Sequence, residues 1–225
     1  MTETSSMRGF ILAVVFTINF GYSQVFSFTT QQEGTVITHR ILIDTDYLIE
    51  TQYVVDPPQF ILTRGGFYSK EGNIFSINFE FNSNHTKDGL TNLELVSDKN
   101  WNKVSKEPLD LNGKWLMAGR VRDNKEQRRD TSKPRKTMKF LGDGFFQWIA
   151  FNTETFEFFG SGGGYYTAKD GIYTEHIEYF SRNNTSVGRV LPFEYSVSGA
   201  DWHHQGFSSK GDAMHEIWAK RSSNE

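Results

Sequence analysis

The chain has 225 residues, 15% of them aromatic and 23% charged, with a net charge of −3 and no cysteine. Its length allows one or two compact domains, and 37% hydrophobic residues is too many for a disordered chain. The missing cysteines exclude disulfides, thiolate zinc sites, iron–sulfur clusters and a thiol nucleophile, and the slightly acidic balance argues against nucleic acid as a partner. Neither a G-x-x-x-x-G-K-[ST] loop nor an H-E-x-x-H pair occurs, and nothing in the sequence calls for a cofactor or a metal.

Residues 1–23 read as an export signal. Arg8 gives a positive start, Phe10 to Phe20 an apolar run, and Gly21-Tyr22-Ser23 a small-x-small cleavage pattern. An apolar run of about eleven residues falls short of the roughly 20 that span a bilayer, so no stable membrane span is expected. The mature chain is therefore expected to be secreted or periplasmic.

From residue 24 onward the sequence repeats itself. At a shift of 98 positions Gly65-Gly66-Phe67-Tyr68-Ser69 lies on Gly163-Gly164-Tyr165-Tyr166-Thr167, and Glu80-Phe81-Asn82-Ser83 on Glu178-Tyr179-Phe180-Ser181. Upstream, Tyr47 to Tyr53 meets Phe145 to Phe151, and at a slightly larger shift Trp101 meets Trp202. The units are 24–110 and 111–222. In chain order the second unit offers short strands at 113–121, 136–141, 144–151, 156–161, 164–167, 172–180, 190–197, 202–207 and 214–220. Turn signals such as Gly142-Asp143-Gly144 and Lys169-Asp170-Gly171 part them. Period-2 alternation without a helical period predicts an all-β fold, an antiparallel up-and-down barrel unit repeated in tandem. Because Gly162-Gly163-Gly164 recurs as Gly65-Gly66, it reads as a turn or bulge device without a phosphate role.

The start Leu111-Asn112-Gly113-Lys114-Trp115 resembles the G-x-W opening of lipocalin-like proteins. With Gly162 to Tyr179, Asp201-Trp202-His203 and Glu216-Ile217-Trp218, the second unit is similar to the small lipocalin-like, calycin-type barrel domains exported by Bacteroidota. The first unit departs from that pattern, with Gly34-Thr35-Val36 where G-x-W should stand. The resemblance implies a barrel that binds small molecules and, in some relatives, transforms them. It also suggests a member acting on acidic polysaccharide fragments.

Where the copies differ, a site is expected. If the apolar face Phe75, Ile77, Phe79 and Phe81 lines the lumen, then Tyr173, Glu175, Ile177 and Tyr179 point inward and His176 and Glu178 outward. Glu175 then replaces Ile77. By the same transfer Phe145, Gln147, Ile149 and Phe151 point inward, and Gln147 replaces Ile49. A buried unpaired carboxylate is costly, so Glu175 needs a partner or a proton, and Glu175→Ile is expected to leave folding unharmed. His203 and His204 straddle a strand, so one faces inward.

Candidate catalytic residues are Glu175, His204, Tyr166 and His203. Candidate substrate contacts are Gln147, Trp148, Trp202, Arg120, Arg128 and Arg129, although the two tryptophans read more as core than as sugar platforms. Residues 120–136 carry eight bases against three acids, a basic loop placed over a barrel mouth that would attract an anionic guest. Elimination beside a uronate carboxylate needs a base, a group that neutralises the carboxylate, and an acid for the departing oxygen. These residues could supply all three. The expected function is an exported dehydratase or lyase acting on uronate-containing oligosaccharides; the alternative is a non-catalytic carrier of a small anionic or amphipathic molecule.

Overall fold

In the computed structural model, residues 23–106, 108–208 and 211–222 are described. The segment read as an export signal lies outside them except for Ser23, whose hydroxyl donates to Asp143 Oδ1 at 2.9 Å. Among the described residues, no helix is long and apolar enough to cross a membrane.

Two antiparallel sheets make up the structure. The first contains β1 (Gln24–Gln32), β2 (Thr35–Ile43), β3 (Tyr47–Val54), β4 (Gln59–Glu71), β5 (Ile74–Asn82), β6 (Asn92–Val96) and β7 (Asn102–Lys103). The second contains β8 (Gly113–Arg122), β9 (Lys125–Arg128), β10 (Arg135–Gly142), β11 (Phe145–Asn152), β12 (Phe158–Lys169), β13 (Ile172–Phe180), β14 (Val190–Ser198), β15 (Asp201–Phe207) and β16 (Ala213–Lys220). Strands β10 to β16 pair in sequence, β16 pairs with β8, and β8 pairs with β10, which closes an eight-stranded up-and-down barrel of lipocalin-like form. The first sheet repeats the opening strands of that barrel but stays open, as a half-barrel.

The basic loop is more ordered than a lid drawn from charge alone, since Arg122 and Lys125 close a hairpin between β8 and β9. The glycine run joins β12 without a turn: the strand is continuous, with a bulge at Gly163/Gly164 and a matching one at Gly65/Gly66. A Cβ on Gly164 or Gly66 would enter the carbonyl of His176 or Asn78, so a neighbouring backbone requires glycine there.

These bulges decide which way the following residues point. Before the bulge Tyr173, Glu175 and Ile177 face the lumen, as expected. After it, Tyr179 faces the first sheet, with its ring 4.9 Å from that of Tyr53. Phe81 is turned outward in the same way and meets Phe151 at 5.0 Å.

The half-barrel packs its convex face on the outside of β10 and β11. Val25, Leu42, Tyr47, Ile49 and Phe81 interdigitate there with Met138, Phe140, Phe145, Ile149 and Phe151. The contact is an internal pseudo-twofold. Phe60 stacks on its own counterpart Phe158 with the planes at 5°. Arg40 lies over Phe145 and pairs with Glu178, while Arg221 lies over Tyr47 and pairs with Glu80. Lys114 adds a buried bridge to Asp44 at 2.7 Å.

This packing corrects the reading of Gln147. The residue is fully buried but on the outer wall, between the sheets, and β11 shows the lumen Phe146, Trp148 and Ala150 instead. Its amide accepts from Thr51 and Tyr179 and donates to Thr63 and Ser161. A strand buried on both sides has no polar face to calibrate its parity, which is why alternation misassigned it.

Candidate functional site

The barrel encloses a cavity of about 400 Å³ that opens at one end. Its inner end has an aromatic wall that includes Trp202, Tyr173, Phe193 and Trp218. Four ionisable side chains line the space within this wall: Lys139 from β10, Glu175 from β13, His204 from β15 and Glu216 from β16. Strand alternation brings each inward, and barrel closure makes the four strands converge.

Glu175 is 5% exposed, and the partner its burial requires is Lys139, with Nζ at 2.7 Å from Oε1. The Tyr173 hydroxyl donates to the same oxygen at 3.0 Å, and burial beside that carboxylate pushes the phenol well up. Lys139 Nζ also lies 5.1 Å from the Tyr173, Trp202 and Trp218 ring centres. The expectation that Glu175→Ile spares the fold is therefore withdrawn, because that change would strand a buried ammonium.

His204 is 1% exposed, and among the described residues neither ring nitrogen makes a hydrogen bond. Burial, reinforced by Lys139, holds its pKa well below the ordinary imidazole range. Glu216 Oε2 lies 3.5 Å from His204 Nδ1, and burial pushes the Glu216 carboxyl up against the opposing pull of Lys139 and Arg120. Both shifts favour the same state, a neutral imidazole beside a protonated carboxyl, over an imidazolium–carboxylate pair. An imidazole with two free nitrogens in a cavity is prepared to meet a ligand.

Arg120, Arg129, Arg135 and Arg182 stand around the cavity with Trp148. Arg120 reaches Glu216 at 3.8 Å. Arg182 lies over the Trp148 ring at 5.4 Å, and Phe180 meets that ring edge-on.

The sequence-derived candidates divide. Glu175, His204, Trp148, Arg120 and Arg129 line the cavity, and Trp202 forms the wall behind it. Tyr166 is buried among the barrel aromatics but outside the cavity, with its hydroxyl donated to Asn112 Oδ1 at 2.8 Å. His203 faces outward and pairs with His215 at 3.1 Å, so His204 is the inward member of that pair. Arg128 is exposed and tied to Glu126 and Asp201, away from the cavity. Gln147 lies between the sheets.

Lys139, Glu216, Arg135 and Arg182 were not singled out from the sequence. Lys139 was within reach: it stands 98 positions after Ile41, an exchange of the same kind as Glu175 for Ile77. Glu216 stood in the Glu216-Ile217-Trp218 motif and Arg135 in the basic loop, but neither was given a role there, and Arg182 sits in no motif.

No curated protein matches this chain. A family model described as a domain of unknown function (DUF4488) matches residues 110–225, more than half of the chain and the whole closed barrel, and the chain belongs to that family.

Proposed function

We propose that the barrel lumen receives the uronate end of a small acidic oligosaccharide and eliminates an oxygen substituent from it, as a dehydratase or lyase outside the cytoplasm. The observation that carries this reading is His204, buried in a cavity with its nitrogens unpartnered and its basicity suited to the neutral form. Lys139 uses one of its donors on Glu175 and keeps others for the substrate carboxylate, which makes the neighbouring C–H more acidic. His204 takes that proton, the C–H electron pair becomes the new C=C bond, and the C–O bond on the next carbon breaks. Glu216, whose burial favours the protonated carboxyl, gives its proton to the departing oxygen, so water or a sugar hydroxyl leaves neutral. In this scheme Glu175 positions Lys139 and Tyr173, and the aromatic wall excludes water.

Export is supported by residues 1–23 and by the resemblance to exported lipocalin-like domains. A non-catalytic carrier is the competing reading, and its support is the Lys139–Glu175 pair, which leaves a lumen suited to holding an anion without reacting with it.

Incubation with uronate-ended oligosaccharides, followed by absorbance of an unsaturated uronate, separates the two. Elimination should raise absorbance, and His204→Asn should reduce the rate by about 10²-fold or more. Tight binding without new absorbance would establish the carrier. Full activity in His204→Asn would remove the base.

A further inference from the structure

At the cavity mouth three guanidinium groups converge, with the carboxylate of Glu157 near enough to act on Arg135 but not to pair with it. Among the described residues, none of Arg129, Arg135 and Arg182 forms an ion pair with a carboxylate. Neutral groups hold them. Arg129 donates to the Arg135 carbonyl at 3.3 Å, and Arg182 donates twice to the Phe159 carbonyl, at 3.0 and 2.7 Å. The Arg135 guanidinium carbon lies over Phe159, 3.3 Å from the ring centre. Burial first, then the charge of Arg129 and, less strongly, that of Arg182 lower the Arg135 pKa against the opposing pull of Glu157. All three line the cavity that contains His204 and Lys139.

Like charges fixed this close raise the free energy of the empty site, and an anion among them relieves it. Guanidinium forks fit the oxygens of a sulfate ester or carboxylate and can offer several at once. Trp148 lies beside them under Arg182, an aromatic surface for the sugar that carries the anion.

We infer that Arg129, Arg135 and Arg182 form a second anion subsite at the cavity mouth, which holds a sulfate ester or carboxylate on the sugar next to the uronate seated at Lys139. This rests on the lumen reading above and narrows its ligand to oligosaccharides with two anionic groups on adjacent sugars.

The test is titration calorimetry of the full chain with three disaccharides: glucuronyl-N-acetylgalactosamine, its sulfate ester on the second sugar, and digalacturonate. The sulfated or dicarboxylate probe should bind about tenfold more tightly than the singly charged one. Whichever is preferred identifies the anion. Raising the salt concentration should narrow that margin. Arg135→Gln and Arg182→Gln should each erase most of it, whereas Arg128→Gln, an equal loss of charge outside the cavity, should leave it intact. Equal affinity of the wild-type chain for all three probes overturns the subsite, as does a preference that survives both cavity variants. Failure of every probe to bind overturns the lumen reading itself, and the subsite with it.

Discussion

The two concave faces of this protein share a strand register but not a chemistry. In the half-barrel the face is built by Ile41, Phe75 and Ile77, with Trp101 stacked near-parallel on Phe75. The corresponding barrel positions are Lys139, Tyr173, Glu175 and Trp202, and there the apolar pair has become a buried ion pair. The contrast extends to the mouth. Glu50 of the half-barrel is held by His39, Gln52 and Arg64 and driven down to about 2, a closed network, whereas its counterpart Trp148 lines a cavity. One copy has an apolar concave face and ties its nearby carboxylate, Glu50, into a network. The other has closed its wall and kept a buried imidazole that makes no hydrogen bond among the described residues. Folding asks for the first arrangement, so the second points to a ligand.

The comparison can be broken most forcefully at the ion pair. Glu175→Ile alone strands Lys139 and should cost about 3–5 kcal/mol, read as a lower urea midpoint. The double change Lys139→Ile with Glu175→Ile writes the half-barrel residues into the barrel and should restore wild-type stability or exceed it. A single variant as stable as the wild type would mean that the pair is not sequestered as described.

Gln147→Ile makes the same exchange on the outer wall, where Ile49 stands in the first copy. It should leave the hydroxyls of Thr51, Thr63, Ser161 and Tyr179 short of a partner and cost about 1–3 kcal/mol, with ligand affinity unchanged. A fall in affinity at unchanged stability would return Gln147 to the lumen.

A third difference lies in acid sensitivity. Because the folded pKa of His204 is depressed, the unfolded chain takes up a proton below the ordinary value of 6.5 while the native barrel does not. Stability should therefore decline as the pH falls from about 6.5, by up to about 1.4 kcal/mol per unit from this group. In His204→Phe that increment should vanish, and identical pH slopes for the two proteins would mean that the imidazole is not buried in its neutral form. The smallest effect is expected at Arg128→Ala, which loses only exposed pairs and should change stability by less than about 1 kcal/mol.

Much of this architecture was legible from alternation and self-similarity. On β13 the outer residues Thr174, His176 and Glu178 are polar, so the parity was unambiguous up to the bulge and located Glu175 correctly. Beyond it Tyr179 turned outward, because one inserted residue reverses the face and only the backbone reveals it. On β11 the first sheet covers the outer wall and both faces are largely apolar, so alternation cannot tell lumen from interface. The cavity mouth was legible only in part, from the charge of one loop. Arg129 and Arg135 belong to the basic loop 120–136, Arg182 follows β13, and what unites the two stretches is the closure of the barrel.

That interface also bears on how the protein can be divided. A fragment cut at the family boundary, residues 110–225, would retain every strand of the barrel yet lose the cover over Met138, Phe140, Phe145, Ile149 and Phe151. Its outer wall would then be a greasy, self-complementary plate, because the surface it normally meets is a copy of itself. Such a fragment should pair with its own kind through β10 and β11, with two binding chambers back to back, and the half-barrel is in this sense a tethered substitute for a second subunit.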